Sequence, residues 1–210
     1  MDRPNETAVR PGVELTNRGP YVSTWTGTKF HIADPRPDEI FLQDIAHALG
    51  NTCRFGGHTV RFYSVAEHCI RMSWAMDWNH EWAVWALMHD AAEAYIGDLP
   101  SPVKQLLPEF SQIEDKIMDA VVERFDLPGA QIPAEVKRLD LAMCVAEYDA
   151  LMGNSTDVWP NMPQGARGQE FHNRWGSETY GTGAAFLARA AELGIADPVQ
   201  ATDTDRMNPA

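Results

Sequence analysis

Apolar residues recur every three or four positions along most of the chain, a period that predicts helices rather than strands. From Phe110 to Phe125 the repeat is Ile113, Ile117, Met118, Val121, Val122 and Phe125. Pro133 opens a helix over about Ala134 to Met152, with Val136, Leu139, Leu141, Met143, Val145, Ala146 and Leu151 apolar. Upstream, Asp38 is placed to cap a helix from about Ile40 to Leu49 that Gly50-Asn51 ends. Ser64, with Glu67 three positions on, reads as the capping box of a helix from about Val65 to Met76. Another helix runs from about Glu81 to Ile96 and stops at Gly97. Asp98 to Pro102 is a rigid turn, followed by a short helix over Val103 to Leu107. The last helix is Gly183 to Leu193. Alternation about a glycine turn is confined to Val22–Ile32, a short hairpin. The expected fold is all-α: a single helical bundle over residues 22–194, preceded by a flexible arm (1–21) and followed by a disordered tail (195–210). The loop-rich stretch Asn154 to Thr182 would pack Trp159, Phe171 and Trp175 onto the core.

Composition narrows the partners. Seventeen Lys and Arg against thirty Asp and Glu give a formal charge of −13, which argues against binding a nucleic-acid polymer but leaves room for a local basic pocket. No apolar run approaches the roughly 20 residues of a membrane span, and the polar start is unlike a signal peptide. The expectation is a cytoplasmic protein (host cytoplasm if phage-encoded). Cys53, Cys69 and Cys144 form neither a CxxC pair nor a disulfide framework and read as reduced, partly buried thiols. Trp74, Trp78, Trp82 and Trp85 read as core or subunit contacts.

The chemistry lies where polar groups interrupt apolar helices. His89, Asp90 and Glu93 fall inside the run Trp82, Val84, Trp85, Leu87, Met88, and burying such groups costs several kcal/mol, roughly, unless something pairs with them. A divalent cation satisfies imidazole and carboxylate together. His68 and Asp140, in two other apolar helices, complete a candidate set of two imidazoles and two carboxylates that leaves coordination positions open.

The order His68…His89-Asp90…Asp140 resembles that of the HD-domain metal-dependent phosphohydrolases. The longer string HDxxExxxxD followed by LPSPVK, and CRFGGH…RFYSVAEH upstream, are similar to the branch containing 5′-deoxynucleotidases and phage dATP triphosphohydrolases. The likeness covers about Ile45 to Asp149. It implies an HD-type helical bundle and a divalent ion (Zn, Co, Mn or Mg) on His68, His89, Asp90 and Asp140. It also implies a homo-oligomer, an expectation to which exposed apolar helix faces contribute. Glu93, one turn after His89 on the same side of a continuous helix, would serve the attacking water, and Asp98 the leaving oxygen.

Phosphate calls for cations, and Arg54, Arg61 and Lys104 are the candidates, with His58 facing phosphate or base. Phe55 is the aromatic for the base, Gly57 with Gly56 permits close approach of backbone, and Pro102 walls the pocket. The implied activity is hydrolysis of a deoxynucleotide, foremost a dATP or other dNTP triphosphohydrolase releasing deoxynucleoside and triphosphate. The alternatives are a 5′-deoxynucleotidase acting on dNMP and a non-catalytic nucleotide-binding module.

Overall fold

Nine consecutive buried residues, Val65 to Ser73, make the helix Val65–Ala75 (α2 below) the centre of the molecule. The computed structural model describes residues 17–153 and 182–198. The other elements are a hairpin, Tyr21–Ser23 (β1) with Lys29–His31 (β2), and helices Leu42–Asn51 (α1), His80–Met88 (α3), Glu93–Ile96 (α4), Ser101–Lys104 (α5), Pro108–Phe125 (α6), Ala134–Leu151 (α7) and Gly183–Glu192 (α8). Helices α1, α3, α7 and α8 surround α2, and Ile70, Met72, Trp85, Leu87, Val136 and Phe186 meet in one core. The fold is all-α apart from the hairpin, as the periodicity indicates. Among the described residues no helix is long and apolar enough to cross a membrane. Trp159, Phe171 and Trp175 lie outside the described residues. Trp85 is core, whereas Trp78 is exposed.

The hairpin pairs Tyr21 with His31 and Ser23 with Lys29. The buried Asp44 carboxylate accepts from the backbone and hydroxyl of Thr26 in its turn, at 2.7 and 2.8 Å, and Phe30 stacks on Tyr95 of α4 at 3.9 Å. Arg18, inside the expected arm, pairs with Asp34 and Glu39.

Four local expectations need correction. Asp38 does not cap α1. It lies in a 3₁₀ turn, Pro37–Glu39, and the first amide of α1, Leu42, donates instead to Asp197 at 3.0 Å, beyond the last helix. Gly50 does not end α1 but lies within it. A Cβ there would meet the Gly183 backbone at 2.7 Å, and one on Gly183 would meet the Ala46 carbonyl at 2.8 Å, so the two glycines let α1 and α8 touch. The helix following Pro100 is Ser101–Lys104 rather than Val103 to Leu107, because Pro102 fits the first turn of a helix. The helix from Glu81 to Ile96 is not continuous. After Met88 the amides of Ala91, Glu93, Ala94 and Tyr95 reach back three residues, so the chain tightens to 3₁₀ winding through His89 to Ala92 before α4.

Candidate metal centre

Ser64 accepts the Glu67 amide at 3.0 Å and starts α2 as the capping signal indicates, while the Glu67 carboxylate turns to Arg71 and Arg61. This fixes His68 one turn in, fully buried. Its Nδ1 lies 2.6 Å from Glu147 Oε1. A carboxylate only accepts, so Nδ1 carries the proton and Nε2 presents a lone pair. His89 donates Nδ1–H to the Ala86 carbonyl at 2.9 Å, so Nε2 is the nitrogen it turns toward the cluster, open to a metal once its proton is displaced.

The two Nε2 atoms face each other at 3.3 Å. Asp140 Oδ1 lies 3.2 Å from His68 Nε2 and 3.8 Å from His89 Nε2. Asp90 Oδ2 lies 3.3 and 3.9 Å from His89 and His68 Nε2. The donor atoms of His68, His89 and Asp140 lie within 4.8 Å of one another, and Asp90 Oδ2 adjoins the two imidazoles from the side. Metal–ligand bonds of about 2.0–2.2 Å would put neighbouring donor atoms roughly 2.9–3.5 Å apart, close to these separations. The donor set fits a divalent ion. With protons alone, burial opposes charge on His89, but the Asp90 carboxylate and its neighbours push its pKa well above the usual imidazole value. The cluster attracts positive charge, and protons compete with a metal for it. Cys69 also lies within reach of His89 and Asp90. Without a metal, burial pushes its thiol up to about 11.

Glu147 is the residue sequence reasoning missed. Buried on α7, it accepts from His68 Nδ1, from the Tyr63 hydroxyl at 2.8 Å and from Arg54 Nε at 3.1 Å. Burial alone would raise its pKa, but His68 and Arg54 hold it below the usual carboxylate range. Its position seven residues after Asp140, two helical turns along the same face, was the available signal. Arg54 also approaches Asp90 Oδ2 at 3.4 Å, so this guanidinium is engaged by two carboxylates.

A cavity of about 430 Å³ opens beside the cluster, within the size range of ligand pockets. Of the expected contacts, Arg54, Phe55, His58, Asp90, Glu93, Asp98, Pro102, Lys104 and Asp140 line it. His68 and His89 lie beneath. Two expected contacts do not line it. Arg61 is drawn to the buried Glu67 carboxylate, at 3.1 Å, and Gly57 turns outward at φ 80° with nothing packed against it. Leu141, Cys144, Tyr148 and Met152, all on one side of α7 and its end, are lining residues the sequence did not single out. Phe55 is held at φ 55°, left-handed and unusual for a residue with a side chain, where its ring meets Tyr148 edge-on at 6.2 Å.

Glu93 is 4% exposed. Its Oε1 accepts from Lys104 Nζ at 3.2 Å, and Oε2 is buried with no hydrogen-bond partner among the described residues. Burial first, then the Asp90 and Asp98 charges, push its pKa well above the usual value. Burial, with Asp90 adding to it against Arg54 and Lys104, raises Asp98. Two carboxyls with high proton affinity thus flank a cation-seeking cluster, an arrangement suited to metal-assisted hydrolysis.

The family model described as 5′-deoxynucleotidase YfbR-like matches residues 59–138, the span from the loop before His68 almost to Asp140. The chain is 39% identical over 140 residues to the uncharacterized protein YfdR of Escherichia coli K12, covering 67% of this chain and 77% of that one. It is 36% identical over 121 residues to an uncharacterized protein of Rhodobacter capsulatus, covering 54% and 61% respectively. With the matched segment enclosing the His68 and His89-Asp90 elements of the cluster, the chain belongs to the YfbR-like family of HD-domain metal-dependent phosphohydrolases.

Proposed function

We propose that the protein is a 5′-deoxynucleotidase that hydrolyses a deoxynucleoside monophosphate to deoxynucleoside and phosphate, with His68, His89, Asp90 and Asp140 holding the divalent ion. The observation that carries the choice of a monophosphate is the charge balance of the cavity. Arg54 is engaged by Glu147 and Asp90, and Lys104 lies between Glu93 and Glu114. Neither described cation of the lining is left to neutralise a triphosphate tail, while four carboxylates line the same space. A phosphate dianion on a divalent ion needs no further cation. The family description, 5′-deoxynucleotidase, agrees with this choice over the dNTP reaction.

The bound ion would supply charge to polarise the phosphoryl oxygen and acidify water. Glu93, with its unpartnered oxygen and raised proton affinity, takes the proton of the attacking water. Water oxygen joins phosphorus, the bond from phosphorus to the 5′-oxygen breaks, and Asp98 delivers a proton to that oxygen. Phe55, Cys144 and Tyr148 of α7 and Met152 just past its end form the less polar side of the cavity, where sugar and base pack by area and stacking.

The test is a panel of dNMPs, NMPs and dNTPs with Co²⁺, Mn²⁺, Mg²⁺ or Zn²⁺, with orthophosphate and triphosphate measured separately. Orthophosphate from dNMPs is expected. Triphosphate from dNTPs, with no release from dNMPs, would replace this reading by the triphosphohydrolase. Nucleotide binding with no release under any metal would replace it by a binding module.

A further inference from the structure

One part of the cavity wall is a segment that the hydrophobic core does not hold. Leu99, Pro100, Ser101, Pro102 and Lys104 all line the cavity. Yet no residue from Gly97 to Leu107 is buried, and Val103, Leu106 and Leu107 are 40%, 78% and 45% exposed. Its backbone hydrogen bonds are local, such as Lys104 to Pro100 and Leu107 to Lys104, and reach the bundle only at its two ends, where Gly97 bonds Glu93 and Phe110 bonds Leu107. Among the described residues, the side-chain bonds that do so belong to Lys104. Its Nζ donates to Glu93 Oε1 at 3.2 Å on α4 and to Glu114 Oε1 at 2.7 Å on α6, and lies 5.8 Å from the centre of the Phe110 ring. Phe110 and Glu114 are four residues apart on α6, so one face of a long helix presents a ring and a carboxylate to the same ammonium.

We infer that Glu114 is a positioning residue for the nucleotidase reaction: by holding Lys104 it latches the Leu99–Leu107 segment against α6 and so keeps one substrate-binding wall of the cavity in place. The inference rests on the proposed function only for its kinetic consequence. Glu114 does not line the cavity and touches neither the cluster nor, on this reading, the substrate. It acts through Lys104. The pair is three-quarters shielded on both sides, and its shorter contact is the one to Glu114. Loss of Glu114 leaves Lys104 its bond to Glu93, so the turnover step keeps its carboxylate while the wall loses its tie to α6.

The experiment compares full-length, metal-loaded wild type with Glu114→Ala and Glu114→Gln by amide hydrogen exchange and steady-state kinetics. For Glu114→Ala, exchange in 99–107 should accelerate about 5- to 10-fold with the rest of the chain unchanged, as expected for loss of a local rather than a global restraint. KM for the dNMP should rise about 5- to 20-fold with kcat within about threefold, the signature of lost ground-state binding. Glu114→Gln, which keeps an acceptor, should fall between the two. Unchanged exchange in 99–107 would overturn the latch, as would acceleration spread evenly over the chain. An unchanged KM alongside locally accelerated exchange would overturn the positioning role. The exchange comparison uses no substrate, so failure of the wild type to turn over any dNMP would sink the proposed function and still leave the latch decided.

Discussion

Replacing Glu147 by Gln tests whether the cluster is held by the shell behind it. The wild-type carboxylate, fully buried, takes three hydrogen bonds: from His68 Nδ1 at 2.6 Å, Tyr63 at 2.8 Å and Arg54 at 3.1 Å. A Gln side chain has the same shape but one acceptor and one donor head. If its oxygen serves His68 and Tyr63, its NH₂ confronts the Arg54 Nε–H, and if it is flipped, its NH₂ confronts the His68 Nδ1–H. Either way one buried donor goes unsatisfied, at about 1–3 kcal/mol. Removing a carboxylate behind a ligating imidazole typically weakens metal affinity about 10- to 100-fold, so chelator competition with Co²⁺ or Zn²⁺ should show a loss in that range. Urea unfolding of the metal-free variant should show the stability loss. The pH dependence follows from the lowered pKa. A carboxylate whose folded pKa is depressed stabilises the native state fully above its unfolded value and loses that contribution as pH falls through the folded value. The gap between wild type and Glu147→Gln should therefore be full near neutrality and close below about pH 4. Metal affinity within threefold of wild type, with unchanged stability, would refute the claim that Glu147 orients His68.

Glu93→Gln should bind metal but lose about 10²- to 10⁴-fold in kcat, and a normal kcat would remove Glu93 from the mechanism. In the metal-free protein the same change should stabilise the fold at neutral and higher pH and not in acid. A carboxyl whose folded pKa is raised loses native stability as pH rises from its unfolded toward its folded value, so thermal melts at pH 4 and pH 8 should differ in the sign or size of the effect. His89→Ala and Asp90→Ala should each abolish stoichiometric binding of Co²⁺ in equilibrium dialysis, and retention of both metal and activity in either would refute the site. Gly183→Ala should destabilise by about 1–3 kcal/mol in urea unfolding, because its Cβ would lie 2.8 Å from the Ala46 carbonyl where α8 meets α1.

What was legible in the sequence follows the range of the interaction. Apolar period and local caps gave α2, α6 and α7 within a residue or two, because each helix writes its own buried face. The order of His and Asp gave the cluster, because metal-binding residue types are few. Contacts made across the chain left weaker marks. Beyond its seven-residue spacing from Asp140, Glu147 carries no mark that separates it from a surface carboxylate until Arg54, Tyr63 and His68 are brought to it from 79 to 93 positions away. Asp197 caps α1 from 155 residues downstream, while the local candidate, Asp38, is used in a 3₁₀ turn. Arg61 is a cation in the right stretch, but whether it reaches phosphate or Glu67 depends on the angle at which the loop enters α2, which no spacing rule contains.

The break at His89 is where local pattern and function part company, and it has a geometric use. In a continuous α-helix, at about 100° per residue, Glu93 would lie roughly 40° from His89 around the axis and compete with Asp90 and His89 for the same ion. At the roughly 120° per residue of 3₁₀ winding, a residue three positions on eclipses its predecessor, so Glu93 stacks over Asp90 and turns about 120° away from His89. The Glu93 amide bonds the Asp90 carbonyl at 2.9 Å, and after burial itself the Asp90 charge does most to raise the Glu93 carboxyl's proton affinity. On the proposed reading the tightened turn thus aims the Glu93 carboxyl, which would serve the water, away from the His89 imidazole, which would hold the ion. The alanines at 91, 92 and 94 permit this, since Ala91 and Ala92 are buried and anything larger would wedge the turn open. Ala92→Leu should accordingly lengthen the turn toward α-helical winding, and on this account it lowers kcat more than metal affinity. Equal losses in both would mean that the turn only packs.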